Sequence, residues 1–163
     1  MKEMVGLYNE TGSNIIGVQE CDPEEAHKYG IVGKGNDTAG GFQINGMVEK
    51  PKLGTAPSNL YINGRYILQP EIFNYLATQE RGTGNEIQLT DAMLKLMNDQ
   101  PFYGSHFRGR TFDCGSKEGF VEANLAFALW RPDLNAHIAA TAHELLVSTM
   151  PVERRKSSRK ISA

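Results

Sequence analysis

Cysteine is scarce in this chain. Cys21 and Cys114 are the only two in 163 residues. That is too few for a disulfide framework and points to a reduced, cytoplasmic setting. No apolar run approaches the length of a membrane span, and the first residues lack the apolar core of a secretion signal, so no membrane partner is expected. The four histidines, His27, His106, His137 and His143, are scattered and lack the spacings of a zinc site. Neither sign of charge dominates. A formal net charge of −2 gives no basis for holding a nucleic-acid polyanion. Charge gathers in one place, where Arg154, Arg155, Lys156, Arg159 and Lys160 stand among serines. Residues 151–163 therefore read as a disordered, solubilising tail. What remains is ordinary for a globular protein: 40% hydrophobic and 22% charged residues, and length enough for one core over residues 1–150.

Strand and helix patterns alternate along the chain. A helix reaches Tyr8 and stops at Gly12. Asn14 to Val18 reads as a buried strand. Asp22 and Pro23 open a helical turn. Tyr29 to Val32 is a short strand, and Gly33 to Gly41 reads as a glycine-rich loop. Phe42 to Glu49 and Leu60 to Leu68 are strands around a Pro/Gly/Ser loop. A helix starts at Pro70, a loop runs from Arg81 to Asn85, and Thr90 caps the next helix. Phe102 to Phe107 and Thr111 to Phe112 are short strands. Ser116 caps a helix with Phe120, Ala123, Phe127 and Trp130 at helical spacing, which Pro132 ends. Asp133 to Leu146 is the last helix. The alternation argues for an α/β domain with a mixed sheet.

The chemistry centres on Val48-Glu49-Lys50-Pro51. Glu49 can accept hydrogen bonds from sugar hydroxyls, and Lys50 can neutralise a phosphate. Pro51 fixes its own φ and pushes Lys50 towards extended geometry. Neighbouring strand residues point to opposite faces, so one ligand meets both side chains only if the strand twists or ends there, and Pro51 favours an ending. A solvated strand-end pair is the plainer reading of these two residues. Asp113 reads equally as a turn or cap residue, and Gly30, Gly64 and Asn63 as turn residues.

Four further segments go with that motif: Tyr29-Gly30-Ile31-Val32, Asn63-Gly64-Arg65-Tyr66-Ile67-Leu68, Glu86-Ile87-Gln88-Leu89-Thr90-Asp91-Ala92 and Phe112-Asp113-Cys114-Gly115-Ser116-Lys117. In this order and at these spacings, the chain resembles the C-terminal half of the bacterial UTP–glucose-1-phosphate uridylyltransferases, the UDP-glucose pyrophosphorylases. The resemblance runs from Val5 to Leu129. It implies a Rossmann-like nucleotidyltransferase fold with a mixed sheet. It also implies transfer of a uridylyl group from UTP to glucose 1-phosphate, giving UDP-glucose and pyrophosphate. The sugar phosphate attacks the α-phosphorus in line, a reaction that needs positioning and charge neutralisation, usually with Mg2+. Under this resemblance Lys50 and Asp113 are the catalytic residues. Glu49 holds glucose hydroxyls, Lys50 the glucose phosphate and Asp113 the Mg2+. Gly30 and Gly64 let backbone approach the sugar, Asn63 contacts it and Glu86 shapes its pocket. Capping and dipole effects alone explain Thr90 and Asp91. Homo-oligomerisation is implied as well.

Part of the family's equipment has no counterpart here. Its nucleotide-binding loop combines glycines with an arginine and a lysine. Gly33 to Gly41 and Gly82 to Gly84 have the wrong flanks for that task, and the family's other metal-binding aspartate is not found. The expectation is a fragment that lacks the N-terminal nucleotide-binding part and keeps the sugar-phosphate side. It should bind glucose 1-phosphate or UDP-glucose weakly, without turnover. An open sheet edge where strands are missing would invite self-association. Two other readings compete. One is a non-catalytic sugar-phosphate-binding module. The other is a glucose-1-phosphate thymidylyltransferase, against which the Glu86–Asp91 segment and Asp113-Cys114-Gly115 favour the uridylyl branch.

Overall fold

Asn14 has no exposed surface, and its side chain serves two distant segments. Its Nδ2 donates to Gln100 Oε1 at 3.0 Å and to the Pro101 carbonyl at 3.4 Å, while its Oδ1 accepts from the Gln69 backbone N–H at 2.8 Å. A buried amide so satisfied is a strong organiser. The computed structural model describes residues 1–81 and 85–149. The expected basic tail and the Gly82–Gly84 stretch lie outside them. The chain divides into two compact units, one over Met1–Arg108 and one starting at Gly109.

In the first unit, α1 (Lys2–Thr11) leads to β1 (Asn14–Glu20) through Gly12, which takes the left-handed C-cap conformation. A short 3-10 helix (Pro23–Lys28) follows, with Asp22 capping it through the Glu24 N–H as expected. Then come β2 (Gly30–Thr38), β3 (Gly41–Glu49), β4 (Leu60–Ile67), α2 (Ile72–Thr78), α3 (Leu89–Leu96) and β5 (Phe102–His106). The sheet is mixed, as expected. β1 and β5 are parallel, and the other pairs are antiparallel.

The five strands close into a ring in the order β1-β4-β2-β3-β5. Among the described residues each strand thus has two neighbours, and the expected open edge is not there. Closure comes from a short contact in which Phe42 pairs with Gly104 and Gln43 with Tyr103. β1 is buried on both sides. Ile15 packs with Met4 and Leu7 of α1. Ile16 and Val18 join Val32, Phe42, Phe102 and the α3 residues Ala92, Met93 and Leu96 in the main core.

The segment from Gly33 to Gly41, expected as a loop, is mostly strand. β2 runs to Thr38 with irregular register at Gly33/Lys34 and Lys34/Asp37. Cross-strand pairing with β3 overrides the poor strand preference of glycine. Its outer end also carries a Lys34–Asp37 ion pair at 2.8 Å.

The second unit holds α4 (Lys117–Trp130) and α5 (Asn135–Thr149). Ser116 caps α4 by accepting from the Gly119 N–H at 3.0 Å, as expected. Thr111 and Phe112 are not a strand. Phe112 instead packs on Phe127 and Trp130, with ring centroids 6.0 and 6.1 Å away. Of the expected α4 stripe only Ala123 is buried. Among the described residues, no helix is long and apolar enough to cross a membrane.

The ring closes at Gly104 because no side chain fits there. A Cβ on Gly104 would lie 2.3 Å from Cζ of the fully buried Phe42 ring. Gly104→Ala should therefore lower stability by about 3 kcal/mol, the upper end for overpacking a core. Urea unfolding followed by circular dichroism checks this. A change near zero would mean that the β3–β5 contact is not tight in solution.

Candidate functional site

The first residue of β2 faces the last residue of β3: Gly30 pairs with Glu49. The ladder continues one step further, with the Lys50 N–H donating to the Tyr29 carbonyl at 3.0 Å. There the strand ends. Lys50 has φ +45°, in the left-handed region. Pro51, which is buried, disfavours the right-handed helical region for Lys50. The chain meets that restriction by turning left-handed, not by extending as expected. A non-glycine residue there carries strain on the order of 1–3 kcal/mol, a feature that gathers at ligand clamps. The turn frees Lys50 from strand alternation, and its side chain is exposed.

Glu49 is half-buried and its carboxylate is anchored. Thr90 Oγ1 donates to Glu49 Oε2 at 2.7 Å. Gly30 provides the space. A Cβ on Gly30 would lie 2.8 Å from that same Oε2, 3.2 Å from Ile62 Cδ1 and 3.4 Å from Thr90 Oγ1. The carboxylate borders an open cleft of about 310 Å3, shared with Tyr29, Gly30, Ile62, Tyr66 and the start of α3 at Gln88–Thr90. Lys28 adds a cation to the lining, paired with Glu25 at 2.9 Å. Tyr29 stacks on Tyr61, with centroids 4.8 Å apart. Burial, and after it the Glu49 carboxylate, raises the Tyr66 phenol above the ordinary tyrosine range.

The structure thus brings Gly30 and Glu49 together, with Lys50 adjacent in the chain but outside the cleft lining. Asn63 lies elsewhere. Ile62 faces the cleft, so its neighbour points to the opposite side of β4. Asn63 lines a separate cavity of about 60 Å3 with Gly17, Arg65 and His106. Its Oδ1 is buried and has no hydrogen-bond partner among the described residues. Gly64 is exposed with φ +76° and turns β4 locally. Glu86 is exposed and sits behind the cleft residue Gln88, whose Nε2 approaches Glu86 Oε2 at 3.4 Å.

Asp113 belongs to the second unit and is exposed. Its Oδ1 accepts from the Gly115 N–H at 3.0 Å, and its carbonyl accepts from Ser116 Oγ at 3.0 Å. This is an Asx turn leading into the α4 cap. Oδ2 takes no part in it. Among the described residues, no three His, Cys, Asp or Glu side chains gather as a metal group. A metal at Asp113 would thus have one protein carboxylate, which suits Mg2+ completed by phosphate oxygens and water.

Sequence reasoning missed Thr90 and Tyr66 as site residues. Thr90 was expected to cap α3. Gln88 holds the cap position instead, with no side-chain cap bond, and the Thr90 hydroxyl turns to Glu49. The signal was the Glu86–Asp91 segment itself, which lies 37 or more positions from Glu49 in sequence and gave no hint of contact.

Residues 1–128 match the nucleotidyl transferase family. The chain belongs to that family. A UTP–glucose-1-phosphate uridylyltransferase of Staphylococcus epidermidis is 43% identical over 145 residues, covering 89% of this chain and 50% of that protein. A crystal structure of UDP-glucose pyrophosphorylase complexed with UDP-glucose is 40% identical, with a TM-score of 0.74, over 80% of this chain and 49% of the other. A UTP-bound UGPase from Acinetobacter baumannii is 35% identical, with a TM-score of 0.76, over 88% and 49%. The chain spans about half the length of the relatives it matches. The mixed sheet with helices is that of these nucleotidyl transferases.

Tyr66 gives this nucleotidyl transferase an alkaline limit. Its phenol is held above the unfolded value, so the unfolded state loses its proton first. The resulting stability is fully present below about pH 10 and is lost as pH rises through the raised value. Tyr66→Phe should flatten the fall in urea-unfolding stability that sets in above about pH 10. An unchanged slope would show that the phenol is not shifted in solution.

Proposed function

We propose that this nucleotidyl transferase chain forms the sugar-phosphate side of a uridylyltransferase site. The whole reaction moves a uridylyl group from UTP to glucose 1-phosphate, giving UDP-glucose and pyrophosphate. The observation that carries this is the Glu49 carboxylate, held between Gly30 and Thr90 at the edge of a cleft of about 310 Å3. That volume is at the lower end for small-molecule sites. A fixed carboxylate only accepts hydrogen bonds when ionised and so suits the hydroxyl donors of a sugar. Lys50 follows on a strained turn and would neutralise the sugar's phosphate as a point charge. The names and identities of the relatives support the same substrates.

In the second unit, Asp113 would hold Mg2+ through Oδ2, the oxygen its turn does not use. Mg2+ bound there would offset charge on the reacting phosphates. Gly64, Asn63 and Glu86 stay outside the cleft lining, so any sugar contact from them would be secondary to Glu49. A cytoplasmic homo-oligomer is part of the same reading.

Calorimetric titration of UDP-glucose into the chain with Mg2+ tests the proposal. The chain should bind weakly and release no pyrophosphate from UTP and glucose 1-phosphate. Glu49→Ala and Lys50→Ala should each weaken binding about tenfold or more, the scale of one charged hydrogen bond. Asp113→Ala should remove the Mg2+ dependence. Affinity unchanged in both Glu49→Ala and Lys50→Ala would overturn the assignment.

A further inference from the structure

Thr90 sits in the first turn of α3, where a threonine hydroxyl commonly bonds to backbone of its own helix. Here it does not. The hydroxyl reaches across 41 positions of sequence to Glu49 Oε2 at 2.7 Å. Thr90 is 8% exposed, so little water competes for that bond. Its helix is fixed to the core by Ala92, Met93 and Leu96, each 1% exposed or less. The position of the carboxylate is thus set by core packing and not by a surface loop.

We infer that Thr90 is a positioning residue for ligand recognition: its hydroxyl locks the Glu49 carboxylate against Gly30 and leaves Oε1 as the acceptor offered to the cleft. This rests on the reading of Glu49 as the residue that accepts sugar hydroxyls. A half-exposed glutamate has three side-chain torsions and loses their freedom when a ligand immobilises it. The bond from Thr90 removes much of that freedom before the ligand arrives. Gly30 closes the triangle from the β2 side, since a Cβ there would press on Oε2 and on Ile62 Cδ1 and would touch the threonine oxygen. With Oε2 already accepting from Thr90, the unused acceptor capacity lies mainly on Oε1. The ligand group that fits it is a hydroxyl donor. Replacing that hydroxyl by hydrogen or fluorine removes the donor.

The test uses the whole chain and UDP-glucose with Mg2+ in calorimetry. Thr90→Val keeps the shape and removes the donor, while Thr90→Ser keeps the donor. Thr90→Val should weaken binding about tenfold, and Thr90→Ser should stay within about threefold of the parent chain, the scale of one hydrogen bond. A second readout needs no ligand. NMR side-chain couplings of Glu49 should report one rotamer in the parent and in Thr90→Ser, and averaging in Thr90→Val. That pattern supports the inference.

Equal weakening by Val and Ser would overturn it, because shape would matter and the donor would not. Binding lost in Glu49→Ala but unchanged in Thr90→Val would overturn it while leaving the proposed function standing. Binding unchanged in Glu49→Ala would overturn the reading of Glu49 as the sugar acceptor and the ligand role of Thr90 with it. A Glu49 rotamer indifferent to Thr90→Val would overturn the inference whatever the ligand does. Should Thr90→Val fail to fold, Thr90→Ala takes its place in both readouts.

Discussion

The parallel pairing of β1 with β5 is the constraint on which the first unit depends. Parallel neighbours cannot be joined by a tight turn and require a long crossover. Here the crossover includes the 3-10 helix, β2, β3, β4, α2 and α3. Asn14 stabilises the arrangement at the start of β1. One end of its amide holds the chain just after β4, and the other holds the chain just before β5. Inside this frame α3 packs onto the core beneath the end of β3. That is why a threonine on α3 meets a glutamate 41 positions earlier. The site follows from closure of the sheet.

The cleft is built by hydrogen bonds and missing atoms more than by ion pairs. The described salt bridges, such as Lys28–Glu25 and Arg131–Asp133, are exposed. Pairs of this kind contribute little to stability. By contrast, the hydroxyl of Thr90 is shielded, Gly30 leaves room for the Glu49 carboxylate that a side chain would push aside, and Tyr66 stays protonated beside the carboxylate. These features pre-position one acceptor, which is what the proposed recognition of a polar ligand would need. Strain at Lys50 adds a second fixed element next to it in the chain.

Much of this was legible in the sequence, for definable reasons. Asp22 and Ser116 announce helix starts through local chemistry and cap as expected. Alternation at the start of β3 buries Phe42 and Ile44, and the register shift opposite Gly33/Lys34 brings Met47 to the buried side as well. Gly30 and Glu49 were singled out, and they are cross-strand partners. What was not legible is non-local. Strand pairing turned the glycine-rich run after Val32 into β2. The left-handed turn at Lys50 is not what the proline rule alone predicts, since that rule favours an extended residue there. Thr90 looked like a cap because its local pattern permits one, and only the tertiary fold offers it Glu49. Asn63 follows strand alternation away from Ile62, a consequence that depends on which face of β4 the cleft occupies.

Backbone NMR of the isotope-labelled chain titrated with glucose 1-phosphate tests the placement of the site most directly. Shift changes that cluster on Tyr29, Gly30, Glu49, Lys50, Tyr66 and Thr90 are expected. Changes that cluster instead around Gly17, Asn63 and Arg65, with the Gly30 and Thr90 signals unmoved, would contradict it.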